Sequence, residues 1–338
     1  MQRGTMSNVE ILPSPSSPPS LSQPSLPEVV ALAPAPAATA FGSTPPRVID
    51  FAAITSDAYD ARVAYLLAVA SGWAYADEET LAKKLRYYGL PRATVDRMQV
   101  INPAMLVVAT AFLVRSQDRK TGVLVFRGTE PTNLINWLTD ADTCLRPFHG
   151  GSIHAGFHAN VEAIWTDVEQ QLRAAIADGM TTLYITGHSL GGAMAVVAAA
   201  RIFFAAEYRD WHGLVRGIYT FGQPMVGDAA FGAQCERGFG AKLHRHVYRS
   251  DVVPALPPWS VGDYTHVGSE RLAVRAHEQW VASPRPRMRR AVSIAATVLL
   301  IAGVFYTRRL RFLERFALAY SLDDHVPERY IETCKASL

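Results

Sequence analysis

The sequence predicts an α/β fold, with a mostly parallel central sheet covered by helices on both faces. Three observations carry that reading. Strand-like and helix-like segments alternate through the middle of the chain. The strand-like runs are nearly continuous in apolar residues, as strands buried on both faces are. One of them enters a glycine-rich turn that opens directly into a helix.

The elements follow in order. Residues 1–46 hold ten of the 21 prolines and eight serines, with little that could form a packed face. Burial cannot offset the ordering entropy of such a segment, so a disordered or extended leader is expected there. Residues 47–338 are read as one α/β domain. Between Tyr59 and Tyr88, Val63, Leu66, Leu67, Val69 and Ala70 recur at helical spacing, and the acidic stretch Asp77–Glu79 opens a second helix. The apolar runs 104–114 and 122–127 flank the turn-like 116–120 and predict a hairpin. A helix is expected over 160–178, a buried strand over 183–186, and a helix from Leu190 to about Glu207. Strands over 215–221 and 242–248 follow. The chain shows no internal repeat.

Composition narrows the class. Hydrophobic residues make up 49% and charged residues 19% of the 338 residues, enough apolar material for a large core. The net charge of +3 is too small to suggest nucleic acid, and it is unevenly spread. From Arg271 to Phe316, ten arginines face only Glu278 and Glu314, a local balance of +8 that leaves −5 for the rest. Cys144, Cys235 and Cys334 form no metal-like or redox-like pair and are read as small buried apolar residues. The opening MQRGTMSNVE lacks the apolar core of a signal peptide, so a cytoplasmic or membrane-associated location is expected.

The chemistry concentrates in LYITGHSLGGAMAVVAAARI, Leu183 to Ile202. A buried strand runs into Gly187-His188-Ser189-Leu190-Gly191 and a helix of small residues leaves it. That is a G-x-S-x-G nucleophile elbow in the strand–turn–helix context it requires, the signature of the α/β-hydrolase fold. Ser189 must hold a strained backbone, and a Cβ two residues away on either side would meet the neighbouring strand or helix. The turn lifts the Ser189 hydroxyl above the sheet, and the helix aims its first amides at an oxyanion formed there. The alternative is a glycine-rich turn that merely packs a helix on a sheet. His188 points away from its neighbour on such a turn, so a packing or hydrogen-bonding role is expected of it.

Here the chain resembles the class 3, fungal-type triacylglycerol lipase family of the α/β-hydrolase superfamily. VLVFRGTE (123–130), NWLTD (136–140), IHAGF (153–157), TGHSLGGAMA (186–195), FGQPMVGD (221–228), DVVPALPP (251–258) and YTHVGSE (264–270) carry the resemblance, in the family's order. It implies that Thr129 and the Leu190 amide form an oxyanion hole. It also implies that 133–140 is a lid helix with Leu134, Trp137 and Leu138 as its apolar face. Asp140 would help hold the oxyanion residue. The bland counterparts are a strand-end turn at Thr129 and an ordinary surface helix at 133–140.

The order Ser, acid, His places the remaining partners downstream. Asp251 follows the strand-like HVYRS, and a carboxylate at a strand's C-terminal end shares the sheet edge with the elbow. The alternative is an Asp that starts a turn. Three histidines follow: His266, His277 and His325. His325, in DDHVPERYI, matches the family's late D-H-x-x-x-x-Y element and is preferred, whereas His266 lies in a block that is structural in the family. The spacing from Asp251 to His325 exceeds the family's, and the excess coincides with an insertion at 285–312.

That insertion joins Arg285, Arg287, Arg289 and Arg290 to 17 uncharged residues, Ala291 to Thr307, closed by Arg308, Arg309 and Arg311. As a helix the apolar run is ~25 Å long, short of a ~30 Å hydrocarbon core. A single pass would also put Asp251 and His325 on opposite sides of a membrane. Peripheral docking on an anionic surface is therefore preferred, against a spanning anchor paired with His266 or a helix buried in protein. The expected activity is lipid-ester hydrolysis by Ser189, His325 and Asp251, with a lipid ester and water as partners and no metal or organic cofactor. The alternatives are phospholipase A1 or diacylglycerol lipase activity, or a non-catalytic membrane-binding module.

Overall fold

The computed structural model describes Ile49, Ile54 and residues 56–102, 107–129, 144–257, 262–274, 279–283 and 323–338. The leader expected over 1–46, the lid stretch 133–140 and the insertion at 285–312 lie outside these residues.

Side-chain caps fix the first two helices. Asp60 accepts from the Arg62 and Val63 amides to start α1 (Ala61–Trp73), and Asp77 accepts from the Thr80 amide to start α2 (Glu78–Tyr88). Gly89 ends α2 at a φ of 132°, where a Cβ would be strained. Three strands follow: β1 (Thr94–Asn102), β2 (Val107–Arg115) and β3 (Thr121–Phe126). β2 and β3 form the expected hairpin. β1 is an additional antiparallel strand whose Thr94, Asp96, Arg97 and Ile101 are exposed, so it lacks the apolar run that marks buried strands.

Next come β4 (Leu145–Phe148), β5 (Gly151–His154), α3 (Ala155–Ala177), β6 (Thr182–His188) and α4 (Leu190–Phe204). β7 (Val215–Phe221), β8 (Gly227–Asp228), α5 (Ala229–Phe239) and β9 (Leu243–Tyr248) follow. β10 (Tyr264–Thr265), β11 (Ser269–Ala273), β12 (Val281–Ala282) and α6 (Pro327–Ala336) complete the described elements. α3 starts five residues before the expected Asn160, because the His154 imidazole caps it by accepting from the Gly156 amide. α4 ends at Phe204, and the chain tightens into a 3-10 segment, Ala206–Trp211, before the expected end at Glu207.

Among the described residues the larger sheet has the order β1-β2-β3-β6-β7-β9-β11-β12. Its middle, from β3 to β11, is parallel, and both edges are antiparallel. β10, β8, β5 and β4 make a small second sheet. Alternate residues of each central strand feed opposite cores, as the two-residue period of a strand requires. Leu124, Phe126, Leu183, Ile185 and Ile218 pack with α3, α4 and α5. Val123, Val125, Tyr184, Tyr219 and Phe221 pack with α1, α2 and α6 on the other face. Covered on both faces, the sheet leaves its carboxyl edge, where β6, β7 and β9 all end, as the place where functional side chains can gather. Cys235 and Cys334 are buried as expected, but Cys144, just before β4, is exposed.

Candidate active site

β6 delivers Ser189 to that edge. Its amide donates to the Phe221 carbonyl of β7 at 2.9 Å, which anchors the turn to the neighbouring strand. Ser189 has φ 59° and ψ −129°, a region sparsely allowed for any residue with a side chain. The flanking glycines are sterically required. A Cβ on Gly187 would fall on the Gly191 backbone, and one on Gly191 would fall on the Phe126 carbonyl of β3. Ser189 is fully buried, and its Oγ has no hydrogen-bond partner among the described residues.

Asp251 stands three residues beyond β9, at the same edge. His325 belongs to a short 3-10 turn, Asp323–His325, just ahead of α6. The His325 Nδ1 lies 2.7 Å from Asp251 Oδ2. The other carboxylate oxygen accepts from the Val253 amide at 2.9 Å, and the Tyr330 hydroxyl of α6 also donates to Oδ2. Burial, and then the adjacent carboxylate, hold the Tyr330 phenol well above its usual range, so it stays a donor. With Nδ1 engaged, His325 Nε2 is buried and has no partner among the described residues, as with Ser189 Oγ. No hydrogen bond joins these two atoms. Such bonds commonly tighten only when substrate is bound.

Gly222 makes the arrangement sterically possible. It ends β7 between the other two strands, at φ 60°. A Cβ there would lie 2.8 Å from both Cε1 and Nδ1 of His325 and 2.9 Å from Asp251 Oδ2. His188 is buried behind the turn, with its Nε2 2.7 Å from the His325 carbonyl and its Nδ1 3.0 Å from the Tyr75 hydroxyl. The role expected of it, hydrogen bonding rather than proton transfer from its neighbour, agrees with these contacts.

Of the residues singled out in the sequence, Ser189, Leu190, Asp251 and His325 meet at one edge of the sheet. Thr129 follows β3, and its hydroxyl is buried without a partner among the described residues. Gly128 before it is held close to the elbow, since a Cβ there would overlap the Tyr75 hydroxyl and lie 2.6 Å from the His188 carbonyl. Leu134, Trp137, Leu138, Asp140 and His277 lie outside the described residues. His266 is engaged elsewhere, its Nε2 2.8 Å from the Pro254 carbonyl. Gly222, Tyr330 and Tyr75 are the residues that sequence reasoning gave no role. Gly222 and Tyr330 do fall within the motifs FGQPMVGD and DDHVPERYI.

Comparison with known proteins follows the same lines. Residues 123–261 match the family described as Lipase (class 3). A lipase of Rhizopus niveus is 32% identical over 176 residues, covering 49% of this chain and 42% of its own. A secreted mono- and diacylglycerol lipase of Fusarium solani is 34% identical over 169 residues, covering 47% of this chain and 46% of its own. The chain thus spans less than half the length of these curated relatives. The solved structure of lipase II from Rhizopus niveus superposes with a TM-score of 0.59 at 22% identity, covering 81% of this chain and 96% of that one. That likeness shows the α/β-hydrolase fold, and over residues 123–261 the chain is similar to the class 3 lipase family.

Proposed function

We propose that this chain is a serine ester hydrolase acting on lipid esters, triacylglycerols or related acylglycerols, with Ser189 as nucleophile, His325 as base and Asp251 as the orienting acid. One observation carries the proposal: the 2.7 Å contact from His325 Nδ1 to Asp251 Oδ2, with Nε2 left free for a proton beside an elbow serine. In the first step Ser189 Oγ attacks the ester carbonyl while its proton passes to His325 Nε2. The tetrahedral oxyanion is received by Thr129 and the Leu190 amide at the start of α4, where the helix dipole also favours negative charge. The C–O bond to the alcohol then breaks, and His325 returns its proton to that alcohol. Water repeats the cycle on the acyl-enzyme to release the carboxylic acid. Asp251 stabilises the imidazolium formed in each half.

The Fusarium solani relative, named for mono- and diacylglycerols, favours partial glycerides as a second reading of the substrate. The domain layout is proposed as a leader over 1–46 and a single hydrolase domain over 47–338 with the insertion at 285–312. The lid role of Leu134, Trp137 and Leu138, with Asp140 bracing Thr129, belongs to the same proposal. So does peripheral docking by the arginine-flanked run Ala291–Thr307, supported by its composition alone. Among the described residues no helix is long and apolar enough to cross a membrane.

The test is hydrolysis of a panel of p-nitrophenyl esters, mono-, di- and triacylglycerols and phospholipids by the purified chain and by Ser189→Ala. Acylglycerol hydrolysis that Ser189→Ala abolishes supports the proposal. Hydrolysis confined to the phospholipid sn-1 ester would move the assignment to a phospholipase A1, and an inert wild-type chain would overturn it.

A further inference from the structure

We propose that His188 and Tyr75 are positioning residues for the base, a buried relay that sets the main chain of His325 from the nucleophile's own turn. The inference rests on the serine hydrolase reading above.

The polarity of the relay follows from its acceptor. A backbone carbonyl can only accept, so the 2.7 Å contact between His188 Nε2 and the His325 oxygen requires the proton on Nε2. In the neutral ring Nδ1 then carries a lone pair, and the Tyr75 hydroxyl at 3.0 Å must donate to it. Tyr75 thereby selects the tautomer in which His188 can hold His325. Both side chains are buried, and burial together with the nearby His325 ring keeps His188 neutral, far below the usual imidazole range. One phenol, one imidazole and one carbonyl therefore make a chain in which each proton has one possible place.

His325 sits in a 3-10 turn outside the sheet ladders, and its ring is tied to Asp251 through Nδ1 alone. A ring pinned at one atom can pivot, and Nε2 would then swing away from Ser189. The Asp324 carboxylate accepts from the Ser250 amide at 3.2 Å and fixes the turn from the acid's side. His188 fixes it from the other side. Because His188 immediately precedes Ser189, one hydrogen bond spanning 137 residues of sequence sets the base's main chain against the nucleophile's. The two imidazoles also pack with their centroids 4.5 Å apart, so His188 backs the face of the His325 ring. At the far end the Tyr75 hydroxyl occupies the space that Gly128 leaves, one residue before Thr129. The relay thus touches the nucleophile turn, the base turn and the loop of the oxyanion candidate without a hydrogen bond to Ser189 Oγ or His325 Nε2.

The experiment compares His188→Leu, His188→Gln and Tyr75→Phe in the full chain, on a water-soluble ester, p-nitrophenyl butyrate. A displaced base costs orientation, so His188→Leu should lower kcat roughly 100-fold while KM changes by less than about threefold. Gln offers an amide N–H to the same carbonyl and should recover most of that loss. Tyr75→Phe removes only the hydroxyl and should lower kcat about tenfold, with no further loss when combined with His188→Leu, because both act through one chain. Wild-type kcat in folded His188→Leu, a loss confined to KM, or equal losses in Leu and Gln would overturn the relay. If His188→Leu fails to fold, Tyr75→Phe decides alone, and wild-type kcat there overturns the proposal. Failure of the hydrolase reading is distinguishable, because the wild-type chain itself would then be inert on the ester.

Discussion

His325 and Asp251 are 74 residues apart in sequence, yet Nδ1 of one lies 2.7 Å from Oδ2 of the other in a pocket that buries both. In sequence the contact spans the whole basic, apolar insertion, which falls between β12 and the 3-10 turn. The other described histidine after Asp251, His266, has its Nε2 2.8 Å from the Pro254 carbonyl instead.

If His325 is the base proposed above, His325→Ala should lower kcat by at least about 1000-fold on a soluble ester, because Ser189 would lose its proton acceptor. His266→Ala should leave kcat within about tenfold and act mainly on the thermal midpoint, through the lost hydrogen bond of ~1 kcal/mol. Steady-state kinetics beside a thermal melt check the pair, and the reverse pattern would transfer the base to His266.

Gly222→Ala should be among the most damaging single-methyl changes outside the reacting groups. Its Cβ would sit 2.8 Å from the His325 ring, at a φ of 60° that disfavours any side chain. A loss of roughly 100-fold in kcat/KM is expected, the scale of misplacing a catalytic group by ~1 Å. Gly213→Ala, where a Cβ meets nothing within 4 Å, is the control and should stay near wild type.

These residues divide what the sequence could and could not reveal. The Ser189 elbow was legible because its glycines, strand and helix are contiguous, so local sterics alone define it. Asp251 was legible from its place after a strand, and His325 from a short motif. Gly222 and Tyr330 lay inside recognised motifs, but their roles depend on Asp251 and His325 arriving from elsewhere in the chain. Tyr75 and His188 are separated by 113 residues, and no spacing rule connects them. Among the elements, β8 and β10 are two residues long and carry no periodicity to read. β1 was hidden by its exposed polar side chains.

Acid should destabilise the fold through its buried histidines. His154 caps α3 through a lone pair on Nδ1, and burial lowers its pKa to about 4. Its folded pKa lies below the ordinary 6.5, so the unfolded chain binds the proton first. Its contribution is present above about pH 6.5, declines as the pH falls from there toward about 4, and is lost at lower pH. His154→Asn keeps a capping oxygen but cannot titrate. Thermal melts between those limits should fall less steeply for His154→Asn than for wild type, and parallel curves would contradict the assignment.

The proposed mechanism stands or falls on Ser189 as the nucleophile activated by His325. Mass spectrometric mapping after treatment with a fluorophosphonate tests it most directly, because that reagent phosphonylates only an activated hydroxyl. A single adduct is expected on the peptide containing Ser189, absent in Ser189→Ala and formed at least about 100-fold more slowly in His325→Ala, where the proposed general base is missing. An adduct on another residue, or undiminished labelling of Ser189→Ala, would contradict it.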